Sequence, residues 1–184
     1  MGTFARDAAV ANETVAADAA LDAWMAARDL GRESTRAELE ELVRELAARP
    51  DLWEHHVRHS PAERIYVRLH LDEHLELWVI CWSQRQDTGF HDHDGSRGAV
   101  AVVAGALAER RLAVGGPPPP TAIHPSGAAF SFRAAHIHDV SQTGSGLATS
   151  LHVYSPPLGE MGFYEIGPDG ALSRRTGDYR EEFC

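Results

Sequence analysis

Residues 89–105 read GFHDHDGSRGAVAVVAG. His91 and His93 stand two apart, just ahead of a run of small and apolar residues. In a strand, side chains at i and i+2 lie on one face. Two imidazoles on one inward face can hold a metal ion, and imidazole suits iron, copper, nickel and zinc. Outward from this stretch, runs of β-branched and aromatic residues alternate with Gly, Pro and Asp clusters from Pro61 onward. Strands are expected over 64–70, 75–82, 89–94, 98–104, 106–112, 121–124, 129–133, 137–141, 148–154 and 161–166. Short strands recurring about every 8–12 residues, with no long helix among them, predict an all-β sandwich or barrel. Residues 115–120, GGPPPP, cannot join a central ladder and are expected as an exposed loop.

The first fifty residues have a different character. Residues 7–30 are rich in Ala, with Leu21, Trp24 and Met25 at helical spacing. Thr35 followed by Glu38 predicts a capping box that opens a second helix. Leu39, Leu42, Leu46 and Ala47 give that helix one apolar face, and Pro50 ends it. The expected organisation is a helical layer over 1–50, packed on a barrel over 51–184.

Composition narrows the function. The chain has 184 residues, 43% hydrophobic and 24% charged, which suits one globular domain with a real core. Its net charge of −10 argues against nucleic acid and against an anionic membrane surface as partners. All 17 basic side chains are Arg, which removes lysine Schiff-base chemistry. Residues 98–108, the longest run of purely small or apolar residues, are too few to span a bilayer. Charged residues interrupt the Ala-rich N-terminus, so no secretory signal is expected. Only Cys81 and Cys184 are present; a disulfide framework is not expected, and a cytoplasmic location is.

Several of the histidines read blandly. His55, His56 and His59 lie at the helix-to-barrel junction without strand spacing, and His70, His74 and His124 carry no pattern either. These are expected to be solvated or capping residues. His136 and His138 can both sit on one strand face, and geometry alone does not choose between them.

The frame around His91 and His93 resembles the first cupin motif. Gly98 and Gly105 fall where that motif has its carboxylate ligand and its closing glycine. His138 with Gln142 fits the second motif, where an Asn usually stands; His136 would place Val140 there and fits worse. The segment YVR from Tyr66, CW before HDH, and SLHVYSPP from Ser150 together resemble the cysteine dioxygenase family of cupin thiol dioxygenases, in its bacterial form. The resemblance covers roughly residues 60–165.

The resemblance implies a mainly β fold, a cupin jelly-roll barrel with N-terminal helices. It implies a mononuclear Fe(II) held by His91, His93 and His138, with Gly98 in place of a carboxylate. Three neutral ligands leave the metal its full positive charge, which favours an anionic thiolate. Arg68, with Tyr66 on the same face, would bind the substrate carboxylate through its guanidinium fork. Ser150, His152 and Tyr154 would form a relay on one strand face, followed by a cis Ser155–Pro156 bond.

The implied activity is O2-dependent oxidation of L-cysteine to cysteine sulfinate, with a small thiol and O2 as partners and a monomeric chain. Alternatives are a dioxygenase for another thiol acid, such as 3-mercaptopropionate, and a non-catalytic cupin that senses metal or ligand. Members favouring 3-mercaptopropionate tend to carry Gln at the Arg68 position and to lack Ser-Pro-Pro after the Tyr; this sequence has Arg68 and Ser155-Pro156-Pro157. The sequence departs from the animal enzymes around Met161, and Gly98 stands where mammalian members have a Cys that crosslinks to the tyrosine.

Overall fold

The computed structural model describes residues 19–28, 30–112 and 119–178. Two helices come first, α1 (Ala19–Ala26) and α2 (Arg36–Ala47), followed by two 3-10 turns, Pro50–Leu52 and Glu54–His56. The strands are β1 (Ile65–Leu71), β2 (Glu76–Trp82), β3 (Phe90–Asp92), β4 (Arg97–Ala104), β5 (Ala106–Arg111), β6 (Ala122–Pro125), β7 (Ala129–Phe132), β8 (His138–Gln142), β9 (Ala148–Ser155), β10 (Glu160–Ile166) and β11 (Leu172–Asp178). One sheet has the order β1-β2-β9-β4-β7 and the other β11-β10-β3-β8-β5-β6. All pairings are antiparallel, which is the jelly-roll barrel expected. Among the described residues, no helix is long and apolar enough to cross a membrane.

The first sheet is the middle layer. In β2, Leu77, Val79 and Cys81 face the helices, while Trp78, Ile80 and Trp82 face the second sheet. β9 and β4 continue both faces: Leu151, Val153, Ala99 and Ala101 look outward, and Tyr154, Val100 and Val102 look inward. The helices cover the outer face with Leu21, Met25, Leu39, Leu42, Val43 and Leu46. Each such side chain contributes about 1.5–3 kcal/mol when fully buried. The helix start is fixed by the capping box: the Glu38 amide donates to Thr35 Oγ1 at 3.3 Å, and the Thr35 amide donates to Glu38 Oε2 at 2.6 Å. The hydrogen bonds from Arg32 and Thr35 hold the Glu38 carboxyl down at about 2.

Three expectations change. The helix expected within 7–30 spans Ala19–Ala26, and residues 7–18 lie outside the described residues. The strand expected over 89–94 stops at Asp92. There the Asp94 amide donates to Asp92 Oδ1 at 2.9 Å, and Asp94 takes a left-handed φ of 48°, so the chain turns immediately after His93. β11 was not expected; its residues are almost all exposed, so it lacks the apolar alternation that marks a half-buried strand. Of the Gly-Pro loop, residues 115–118 lie outside the described residues, and Pro119 and Pro120 are exposed and in no element.

Candidate metal centre and relay

β3 and β8 pair through a single register position, His91 opposite His138. His93 follows β3 by one residue and turns its ring to the same interior. The ring centroids lie 4.8 Å apart for His91–His93, 4.8 Å for His91–His138 and 5.2 Å for His93–His138. Their ligand nitrogens all fall within 4.8 Å of one another, and all three side chains are buried. The structure therefore brings together the three histidines expected as ligands.

Hydrogen bonds fix two of the rings. His91 Nδ1 donates to the Gly89 carbonyl at 3.0 Å, and His138 Nδ1 donates to Glu109 Oε1 at 3.0 Å. Each leaves the Nε2 lone pair for another partner. Among the described residues, the buried His93 Nδ1 has no hydrogen-bond partner. A polar atom that deep calls for a partner that the described residues do not supply. Burial holds His93 well below its usual value, helped by repulsion from His91 and His138. Burial likewise brings His138 to about 3, although Glu109 pulls the other way. Neutral imidazoles in a buried cluster, with the outer nitrogens of His91 and His138 tied down, fit a transition-metal ion.

Asp92, between the two histidines, points to the other side of the strand. Its carboxylate accepts from Arg174 Nε at 3.1 Å, from the Gly162 amide at 3.1 Å and from the Tyr164 hydroxyl. Burial would raise its carboxyl, but the bonds from Arg174, Tyr164 and the Asp94 amide bring it to about 2. Asp92 thus anchors the histidine-bearing segment to β10 and β11.

The relay lies on the facing sheet. Ile80 is opposite Ser150, Trp78 opposite His152 and Glu76 opposite Tyr154, so the three relay residues share the inner face of β9. Ser150 Oγ lies 2.8 Å from His152 Nε2, and His152 Nδ1 lies 3.2 Å from the Tyr154 hydroxyl. Trp82 Nε1 donates to Ser150 Oγ at 2.8 Å. An indole nitrogen only donates, so it gives the chain a direction. Ser150 accepts from Trp82 and donates its hydroxyl hydrogen bond to His152 Nε2. His152, brought to about 3 chiefly by burial and then by His138, is neutral. Its proton then sits on Nδ1 and is donated to Tyr154, whose own hydroxyl hydrogen is directed to a group other than His152. The Tyr154 and His93 rings are 5.2 Å apart.

Gly98 lies opposite Tyr154 on one side and Phe132 on the other. No side chain there can act as a ligand. The Phe132 ring fills the space and stacks on His93 at 4.6 Å. The void beside the histidines is small and is lined by Trp82, Thr88, Val100, Phe132, Val140, His152 and Tyr154. Such a void takes a small ligand.

Arg68 and Tyr66 are opposite Trp78 and Ile80, and so lie on the same inner face. The Arg68 guanidinium is 5.3 Å from the Trp78 ring centroid, and the Tyr66 ring is 6.0 Å from it. Neither residue is among those lining the void at the histidines. His136 is not part of the histidine triad: its Nε2 donates to Glu109 Oε1 at 3.0 Å. His124 approaches Glu109 as well, so its bland reading is corrected. Reasoning from the sequence missed Glu109. The available clue was its inward register, two residues beyond Leu107 in β5. The Ser155–Pro156 bond is cis.

A model of the family described as cysteine dioxygenase type I matches residues 12–166. No curated protein matches the chain significantly. Among solved structures, TT1209 from Thermus thermophilus is similar with a TM-score of 0.50 at 19% identity, over 56% of this chain and 93% of that one. A conserved protein with a double-stranded beta-helix domain from Klebsiella pneumoniae gives 0.49 at 13% identity, over 66% of this chain and 91% of that one. A cupin superfamily protein from Desulfitobacterium hafniense gives 0.48 at 9% identity, over 56% of this chain and 87% of that one. Identities this low concern the fold alone.

Proposed function

Because the chain belongs to the cysteine dioxygenase type I family, we propose that it is an Fe(II)-dependent thiol dioxygenase that oxidises L-cysteine to cysteine sulfinate. The observation that carries this reading is the meeting of three buried imidazoles with a directed Ser150–His152–Tyr154 relay at one small void. His91, His93 and His138 would hold the iron. Iron held there would supply a Lewis-acid and redox centre for a thiolate and O2, chemistry that leaves both oxygen atoms on sulfur. Sulfur supplies the electrons that reduce O2, so no external reductant enters.

The protein's own residues position and exclude. Arg68 pairs with the substrate carboxylate, with Tyr66 beside it, and fixes the end remote from sulfur. Tyr154 presents its hydroxyl hydrogen to the reacting group, held by His152 and, behind it, Ser150 and Trp82. Phe132, Val100 and Val140 keep bulk water from the reacting atoms. Small size is the constraint that the void imposes on the substrate.

The test is a thiol panel on Fe(II)-loaded protein, read by O2 uptake and product mass. Cysteine should give a product heavier by two oxygen atoms, at the highest kcat/KM of the panel. A higher kcat/KM for 3-mercaptopropionate would move the assignment to that acid. No O2 uptake with any small thiol would leave a sensing cupin.

A further inference from the structure

Glu109 is completely buried, and a carboxylate in that position is costly unless it is fully paired. Its two oxygens divide the work. Oε2 accepts from Arg111 Nε at 3.1 Å and from Arg111 Nη2 at 2.7 Å, with His124 Nε2 at 3.4 Å. Oε1 accepts from His136 Nε2 and His138 Nδ1, both at 3.0 Å. His138 is therefore shared: one nitrogen is tied to Glu109, and the other edge of the ring faces His91 and His93. The other two rings have no such backing. His91 leans on a neutral backbone carbonyl, and His93 Nδ1 has no hydrogen-bond partner among the described residues.

We propose that Glu109 is a positioning residue that sets how strongly His138 binds the metal and lowers the potential of the bound iron. This rests on the reading of His91, His93 and His138 as the iron ligands. The bond from Nδ1 holds His138 in the tautomer that leaves Nε2 as a ligand, and it stops rotation of the ring. A carboxylate behind an imidazole also makes that imidazole a stronger donor. With Gly98 where a directly coordinating carboxylate would stand, Glu109 places the negative charge one residue further out. It acts on one of the three ligands only, so its effect passes through His138. His136 binds the same oxygen but lies outside the triad, and it separates metal tuning from simple packing around Glu109.

The experiment uses the full chain with Fe(II) added anaerobically against a competing chelator, and a redox titration of the loaded protein. Wild type should bind one iron per chain. Glu109→Gln should bind it about 10- to 100-fold more weakly, with a higher midpoint potential. His136→Ala and Arg111→Gln, which disturb the same network away from the triad, should lower the thermal midpoint without raising the potential. If Glu109→Gln does not fold, 15N NMR of the zinc-loaded wild type decides, because His138 Nδ1 must still carry its proton. Wild-type affinity and potential in Glu109→Gln would overturn the proposal while leaving the ligand assignment intact. A deprotonated His138 Nδ1, or two metal ions per chain with one lost in Glu109→Gln, would make Glu109 a ligand and overturn it too. Failure of wild type to bind iron would overturn both this proposal and the function it rests on.

Discussion

Gly98→Ala tests whether the site is packed as described. A Cβ at position 98 would lie 2.5 Å from Phe132 Cζ, 2.7 Å from Phe132 Cε2 and 3.0 Å from Tyr154 Cδ1. Carbon atoms do not approach that closely, so the Phe132 ring must move. It has little room to do so: it is 2% exposed, stacks on His93 at 4.6 Å and meets His138 at 4.8 Å. Overpacking of this kind costs about 1–3 kcal/mol. Replacing Gly by Ala regains about 0.4–1 kcal/mol by restricting the unfolded chain. The expected net loss therefore runs from about 0 to about 2.6 kcal/mol, read as a lower urea midpoint of the metal-free protein at unchanged slope. Gly98→Ala/Phe132→Leu should be more stable than the sum of the single changes, because the smaller side chain vacates the space that the methyl needs. A gain in stability in Gly98→Ala, or strict additivity in the pair, would show that the ring is not confined as the geometry requires.

Four other outcomes follow from the same geometry. His91→Ala or His93→Ala should nearly abolish iron binding measured by metal analysis, whereas His136→Ala should retain it; loss of iron in His136→Ala with retention in His138→Ala would move the third ligand away from His138. Arg68→Ala should lower kcat/KM for cysteine by about 30- to 4,000-fold, the range for removing one partner of a desolvated charge pair, and leave cysteamine almost unaffected; equal losses on both would make Arg68 structural. Intact-mass analysis should show Tyr154 without a thioether crosslink, since Gly98 has no sulfur to offer; a loss of two hydrogens at Tyr154 would contradict this. The metal-free protein should lose stability in mild acid. His152 takes up a proton near 6.5 when unfolded but only at about 3 when folded, so the unfolded state gains protons first as pH falls. The contribution is present above pH 6.5 and falls by about 2 kcal/mol by pH 5; a urea midpoint flat over that range would contradict the burial of a neutral His152.

What the sequence disclosed depended on range. The relay and the first pair of histidines are period-two patterns within single segments, so the strand rule alone places their side chains on one face. The Thr35–Glu38 capping box is equally local. Glu109 was hidden because its meaning comes from pairing: β5 lies against β8, and only that register sets the carboxylate beside His138, 29 residues away. β11 was hidden for the opposite reason, having no apolar face to reveal it. Strand geometry alone did not separate His136 from His138, and the resemblance favoured His138; in the structure, His138 is the one that pairs with His91.

The polar residues of the interior are divided between the two sheets in a way that bears on function. The second sheet supplies His91 and His138, with His93 just past β3, and it holds them from behind through Asp92 and Glu109. The first sheet supplies Trp82, Ser150, His152 and Tyr154, together with Arg68 and Tyr66, and the helices brace it from outside. A thiol acid held by sulfur at one end and by carboxylate at the other would therefore bridge two separately supported surfaces. Phe132, Val100 and Val140 are among the side chains packed between the two sheets. Gly98 matters on the same account: it carries no chemistry, but its missing side chain lets Phe132 sit where it separates the histidines from the neighbouring strand.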